Sequence, residues 1–289
     1  MAEYKQFDRQ YRMAAGPPGG TGFEIGAVDD PAQIPLNVEF SFEKTDLTTQ
    51  NTGRLTIWNL NKNHLAVLNQ KNCLISFRAG YGNQLPLIFA GTVTYAATEM
   101  DGANERTEIE LIDNLIAIRD TYVSVAYNGT VSWKKILTDS AAQMGGALSF
   151  SHNAKFTNVQ NGFSFVGPAK NILDKACKCC GLSWSIQNGI LQIKRPGDTM
   201  SREVFVLNAT SGLLGIPKRI VLAQDDAGNV TQYGWEVSYF LNGAINVNDY
   251  VKLESKRASG FFTIQAVQFT GSNRSGDWIC TAKLLEVKG

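Results

Sequence analysis

The chain has 289 residues, which at roughly 150 residues per domain suggests two domains or three small ones. Hydrophobic residues make up 44% and charged residues 18%, which excludes wholesale disorder, and the longest apolar runs, such as Leu213–Ile216 and Ile220–Ala223, fall far short of the ~20 residues of a membrane span. A formal charge of +1, from 27 basic and 26 acidic side chains, argues against a generally basic nucleic-acid binder.

The first dozen residues carry no apolar segment of a secretory signal, and residues 1–6 read as a polar arm. Residues 7–15 are a candidate strand, closed by the Pro- and Gly-rich loop Gly16–Gly20. Leu36, Val38, Phe40 and Phe42 then alternate with Asn37, Glu39, Ser41 and Glu43, a period of two with one apolar and one wet face. Arg54–Leu60 is a further strand, and Cys73, Ile75, Phe77 and Ala79 outline the next. Leu87, Phe89, Val93 and Tyr95 are expected to share one face around Gly91, and Arg106–Ile112 follows. A single short helix interrupts this series, with Asn61 as N-cap and Leu65 and Leu68 facing inward. Many short strands and one short helix indicate a small barrel or sandwich.

The middle of the chain changes period. Trp133, Ile136, Leu137, Ser140, Ala141 and Met144 recur at helical steps before Gly145 and Gly146. A second helix is predicted from Pro168, burying Ala169, Ile172, Leu173, Ala176 and Cys180 and ending at Gly181. Cys180 is expected mid-stripe, with Cys177 and Cys179 at its edges. Two apolar runs around Asn188-Gly189, Leu182–Ile186 and Ile190–Lys194, predict a hairpin. The last third returns to strands at Val204–Leu207, Lys218–Leu222, Trp235–Leu241, Tyr250–Leu253, Phe261–Phe269 and Trp278–Leu284. The fold class is therefore mainly β with an α/β insert. The two flanking β regions read as copies of one barrel type, and no short-period repeat is present.

No catalytic constellation emerges. The two histidines, His64 and His152, sit beside no plausible nucleophile, and neither a phosphate loop nor a dinucleotide fingerprint occurs. Five cysteines, three of them at Cys177, Cys179 and Cys180, do not make a disulfide framework. Cys177 and Cys180 have C-x2-C spacing but no second pair, so core packing is the better reading than a metal site. Asp29-Asp30 and Asp225-Asp226 sit in turn contexts that explain them without general acid–base chemistry. Lys134-Lys135 and Lys256-Arg257 read as solvated pairs, and Trp58, Trp133, Trp184, Trp235 and Trp278 as core or interface residues. No cofactor, metal or enzymatic activity is expected.

Several segments in order resemble the baseplate hub proteins of bacteriophages with contractile tails. They are Phe40–Asp46; Asn51–Leu60, which fits N-x-x-x-[LI]-x-I-[WY]-N-L; Arg78–Tyr81 followed by Ile88–Gly91; Gly181–Trp184 with Gly189–Leu191; Gly212–Pro217; and Gly276–Trp278, whose turn departs from the pattern in the preceding Ser272, Asn273 and Arg274. The resemblance covers most of residues 7–289. It implies an arm over 1–6, a first tube-type β-barrel over 7–120, a middle α/β domain over 121–199 and a second barrel over 200–289. It further implies a homotrimer of six barrels that matches a six-fold tail tube or tube-initiator protein above and a three-fold central spike below. Other baseplate proteins would be partners, DNA would meet the protein only in transit, and no stable membrane binding is implied. The expected location is the virion tail baseplate, after assembly in the host cytoplasm. No lysozyme or peptidase segment is expected in a chain of this length. Alternative readings are the hub of a contractile bacteriocin, a distal-tail adaptor, and a β-rich receptor- or carbohydrate-binding tail module, which would use an aromatic cleft at Trp58 and Trp235.

The charge distribution adds one expectation to this picture. Residues 1–120 carry 10 basic and 15 acidic side chains, net −5, whereas residues 121–289 carry 17 and 11, net +6. A channel that passes DNA should present few basic groups, because each phosphate neutralised strengthens binding. Glu39, Glu43, Glu108 and Glu110, on the wet faces of the strands around 36–43 and 106–112, are the candidate lumen-facing residues.

Overall fold

A computed structural model describes residues 8–27, 35–113, 120–201 and 203–287. The predicted arm and Asp29-Asp30 lie outside them. The first β region contains β1 (Arg9–Gly16), β2 (Phe23–Gly26), β3 (Val38–Thr45), β4 (Thr52–Trp58), α1 (Lys62–Leu68), β5 (Leu74–Tyr81), β6 (Leu87–Asp101) and β7 (Asn104–Ile112). The insert contains β8 (Tyr122–Tyr127), β9 (Val131–Ser132), α2 (Trp133–Gln143), β10 (Ala147–Phe150), β11 (Asn158–Val159), β12 (Phe163–Pro168), α3 (Ala169–Cys180), β13 (Ser183–Gln187) and β14 (Ile190–Lys194). The last region contains β15 (Val204–Leu207), β16 (Leu213–Gln224), β17 (Val230–Phe240), β18 (Tyr250–Glu254), β19 (Ser259–Ser272) and β20 (Trp278–Glu286).

The two β regions form one 13-stranded sheet. Its main path runs β16-β17-β20-β19-β3-β4-β7-β6-β5-β1-β2, with β18 and β15 attached beside β19. Antiparallel pairing of β3 with β19, from Glu39↔Ser272 to Thr45↔Ala266, joins the halves. Both halves repeat one chain order, because β3-β4-β5-β6-β7 and β16-β17-β18-β19-β20 use the same pairings: first with second, second with fifth, fifth with fourth, fourth with third. Among the described residues the sheet does not close into a hydrogen-bonded ring.

Strict alternation builds the shared core. Val38, Phe40 and Phe42 of β3 point inward and Glu39 and Glu43 outward, as the sequence predicts. Phe42 stacks on Phe89 at 4.8 Å and packs against Phe77 at 5.2 Å between centroids. Gly53, directly opposite Phe42, makes room for this cluster: a Cβ there would lie 2.5 Å from Phe42 Cδ1. Gly53→Ala is therefore expected to lower stability by about 1–3 kcal/mol through overpacking, read as a lower midpoint in urea.

The face predicted for β6 differs. The structure buries Ile88 and Phe89 together and leaves Tyr95 52% exposed. Register shifts opposite Phe77/Arg78 and between Val93 and Tyr95 are the cause, since each extra residue flips the side-chain parity.

The insert has a separate core, in which α2 and α3 pack against each other and against β8, β12 and β13. Helix α2 starts at Ser132, whose hydroxyl accepts from Lys134 N. Helix α3 follows Pro168, which acts as its cap rather than its first residue, and stops at Gly181 in the left-handed region (φ 65°). The cysteine placement needs correction: Cys177 is buried, Cys180 only half-buried and Cys179 exposed. Cys180 is the last helical residue, where the stripe runs past the edge of the core, and Cys177 lies a turn further in.

Candidate assembly surface

In an antiparallel sheet, directly opposed residues point to the same side. The registers bring Glu39, Thr56 and Glu108 into one outward row, and Ser41, Arg54 and Glu110 into the next. A third row runs Ser238, Thr281, Gln268, Glu43 and Thr52, so it crosses both halves of the chain. All four predicted glutamates thus share one face of eight consecutive strands, β16 to β6. Arg54 sits among them with its guanidinium 3.0 Å from Glu110, and Arg106 is 2.8 Å from Glu108. Gln268 Nε2 donates to Ser41 Oγ across the junction at 3.2 Å. On the second half the same face carries Lys218, Glu236 and Lys283 in one row, so its acidic character belongs to the first half.

Behind this face lies a buried polar junction that the sequence reading does not single out. Lys44 occupies the inward parity of Phe40 and Phe42, is fully buried, and donates to Asn246 Oδ1 at 3.0 Å with its Nζ 5.4 Å from the Phe269 ring centre. Burial lowers its pKa to about 8 against the opposing pull of Asp113 and Asp249. Burial likewise raises Asp113 and Asp249 to about 6. Asp113 accepts from Asn188 N at 2.7 Å, Gly189 N at 3.1 Å and Asn51 Nδ2 at 3.3 Å. Asn51 also donates to Ile186 O at 2.8 Å, Gln187 Nε2 donates to Thr45 O at 2.7 Å, and Lys194 lies 3.2 Å from Asp46. The insert therefore docks through the β13–β14 hairpin with polar contacts, while its core stays apart from that of the sheet.

The signs of these shifts set a pH dependence. Asp113 and Asp249, raised in the folded state, favour folding while protonated, and that contribution is lost as pH rises from about 4 through about 6. Lys44, lowered in the folded state, favours folding while neutral, and that contribution appears as pH rises from about 8 toward its unfolded value of 10.5. Lys44→Met should flatten the alkaline limb of a stability–pH curve and extend the acid limb to higher pH, because Asp113 and Asp249 lose the cation that holds them down; denaturant melts from pH 4 to 10 would test both changes.

The other sequence candidates are dispersed. His64 stacks on Phe23 at 4.1 Å, whereas His152 belongs to the insert. No group of three His, Cys, Asp or Glu residues suited to a metal occurs among the described residues. Asp225 accepts from Ala227 N and Asn229 N inside the β16–β17 turn, which explains it by backbone chemistry. Trp58 shares the outward face with Arg54, and Trp235 shares the inward face with Val237, so no common cleft joins them.

No protein-family model matches the sequence, and no curated protein matches it. Solved structures do. A 43-kDa tail protein of prophage MuSo2 from Shewanella oneidensis superposes with a TM-score of 0.62 at 10% identity, over 96% of this chain and 97% of that one. The fold is that of phage tail proteins. A tail protein from Neisseria meningitidis gives 0.61 at 10% identity over 96% of each chain. An Escherichia coli component of the type VI secretion system, described as structurally similar to two tail proteins of phage T4, gives 0.61 at 10% identity over 89% of this chain and 76% of that one. The tail-protein fold thus spans nearly all of the chain, insert included, as the sequence resemblance implies.

Proposed function

We propose that this chain is the baseplate hub of a phage tail, a homotrimeric ring that joins the six-fold tail tube to the three-fold central spike. The observation that carries this reading is the internal repeat. Two four-stranded units, β6-β7-β4-β3 and β19-β20-β17-β16, follow each other in one sheet with the same order and a common outward face. A chain with two equivalent tube-type units makes a six-unit ring from three copies, which suits a six-fold partner on one side and a three-fold partner on the other. In this reading residues 7–120 and 200–289 supply the barrels and residues 121–199 the insert. The outward face with Glu39, Glu43, Glu108 and Glu110 lines the DNA channel, where carboxylates keep phosphates from adhering. Assembly takes place in the host cytoplasm, and the product resides in the virion tail.

Light scattering of the purified protein tests the ring: particles of three 31.6-kDa chains are expected, and a strict monomer at micromolar concentration contradicts it. A cryo-EM map of the ring tests the lumen. Lysine and arginine lining it, with the four glutamates outside, would reject the channel assignment.

A further inference from the structure

We propose that copies of this chain join edge to edge, the β16 strand of one copy pairing with the outer half of β6 of the next, with Glu99 opposite Lys218 of the neighbouring copy. The proposal rests on the ring reading above and specifies its junction.

Among the described residues, the eight-strand face carries an open strand edge at each of its two ends. Pairing of β6 with β5 ends at Thr92, so among the described residues the backbone ladder of β6 from Tyr95 to Asp101 runs to β7 alone. Among the described residues strand β16 pairs with β17 alone. These edges lie at the two ends of the eight-strand face, and unpaired edges are templates for another strand. Neighbours along the eight strands are antiparallel throughout. An even number of alternating strands means that β6 of one copy, rotated about an axis along the strands, meets β16 of the next antiparallel. A head-to-tail contact of this kind closes into a ring when its rotation completes a circle, as the ring reading requires.

The chain holds one example of the same junction, where β19 meets β3, and it fixes the register. The β6–β7 ladder shifts between Val93 and Tyr95, and the β19–β20 ladder shifts between Ile264 and Ala266. Aligning the two bulges places Tyr95 on Ala266, and therefore Glu99 on Thr270. Tyr95 opposes Glu110 and Ala266 opposes Lys283, so Glu110 matches Lys283. Across the next two strands, Glu110↔Arg54↔Ser41 matches Lys283↔Glu236↔Lys218. Lys218 is thus the counterpart of Ser41. The internal junction pairs Thr270 with Ser41, so the junction between copies pairs Glu99 with Lys218, and two residues along, Ala97 with Ile220. Register alone thus sets an acid against a base, both exposed in the single chain, where opposed unlike charges stabilise a sheet. Pro217, which has no N–H, and the shift between Leu214 and Lys218 confine the pairing to the stretch that starts at Lys218.

The test measures oligomer mass against concentration for Glu99→Lys, Lys218→Glu and the two combined. Each single change is expected to raise the dissociation constant at least ~10-fold, and the combined exchange to restore it. Unchanged melting curves would show that these surface variants fold. In a Cys179→Ser background, Ala97→Cys with Ile220→Cys should yield disulfide-linked oligomers on mild oxidation. A wild-type trimer that tolerates both single changes and gives no cross-link overturns the junction and leaves the ring reading intact. A wild-type chain that stays monomeric at every concentration overturns both.

Discussion

Leu173→Asp is expected to unfold the insert, whereas Leu173→Met should leave it folded. Leu173 is fully buried on the inner stripe of α3, among Ile172, Ala176, Trp184 and the residues of α2. An aspartate there would sit within an apolar cluster whose Trp184 N–H is already given to Asp174, and an unpaired polar group in an apolar core costs several kcal/mol. Methionine keeps the volume and should cost under ~1.5 kcal/mol. Far-UV circular dichroism and soluble yield separate the outcomes, and equal yields would mean that α3 presents a different face. Because the insert's core is separate from that of the sheet, the sheet should keep its own cooperative transition in the aspartate variant.

Asp113→Ala is expected to be comparably damaging for a different reason. The carboxylate is the acceptor for two backbone N–H groups of the Asn188-Gly189 turn and for Asn51, and it lies in the field of buried Lys44. Its removal leaves those donors unmet and the ammonium less compensated, where breaking a buried charged network costs about 3–5 kcal/mol. Thermal melts should show a lower midpoint, with protease cleavage appearing first in residues 121–199 as the insert loses its dock. Combining Asp113→Ala with Lys44→Met should recover part of the loss, since it also removes the charge left behind. No recovery would mean that Asp113 acts through the turn alone.

Much of the architecture follows from local pattern. The alternation Val38, Phe40, Phe42 against Glu39 and Glu43 specifies both a strand and its wet face, because a period of two leaves no other way to hide three large side chains. Asn188 and Gly189 adopt positive φ, 51° and 82°, as a tight hairpin between two apolar runs requires. The helical stripes at Trp133–Met144 and Ala169–Ala176 predict the insert's core, and the strand-rich ends predict a β scaffold on either side. The outward placement of the four glutamates was legible for the same reason.

Three features were decided only by the assembled sheet. Lys44 continues the inward parity of β3, yet a lysine reads as exposed unless Asn246, Asp113 and Asp249 are known to surround it, and these lie more than 60 residues away in sequence. The parity of β6 depends on two bulges set by its neighbours β5 and β7, which no period within β6 reveals. The merger of two β regions into one face depends on β3 meeting β19 across more than 200 residues, through backbone hydrogen bonds that carry no side-chain signature. Side-chain periodicity thus determined, away from bulges and buried charge, which way strands such as β3 face, whereas strand order and register, set by non-local backbone pairing and packing, decided the rest and which faces join.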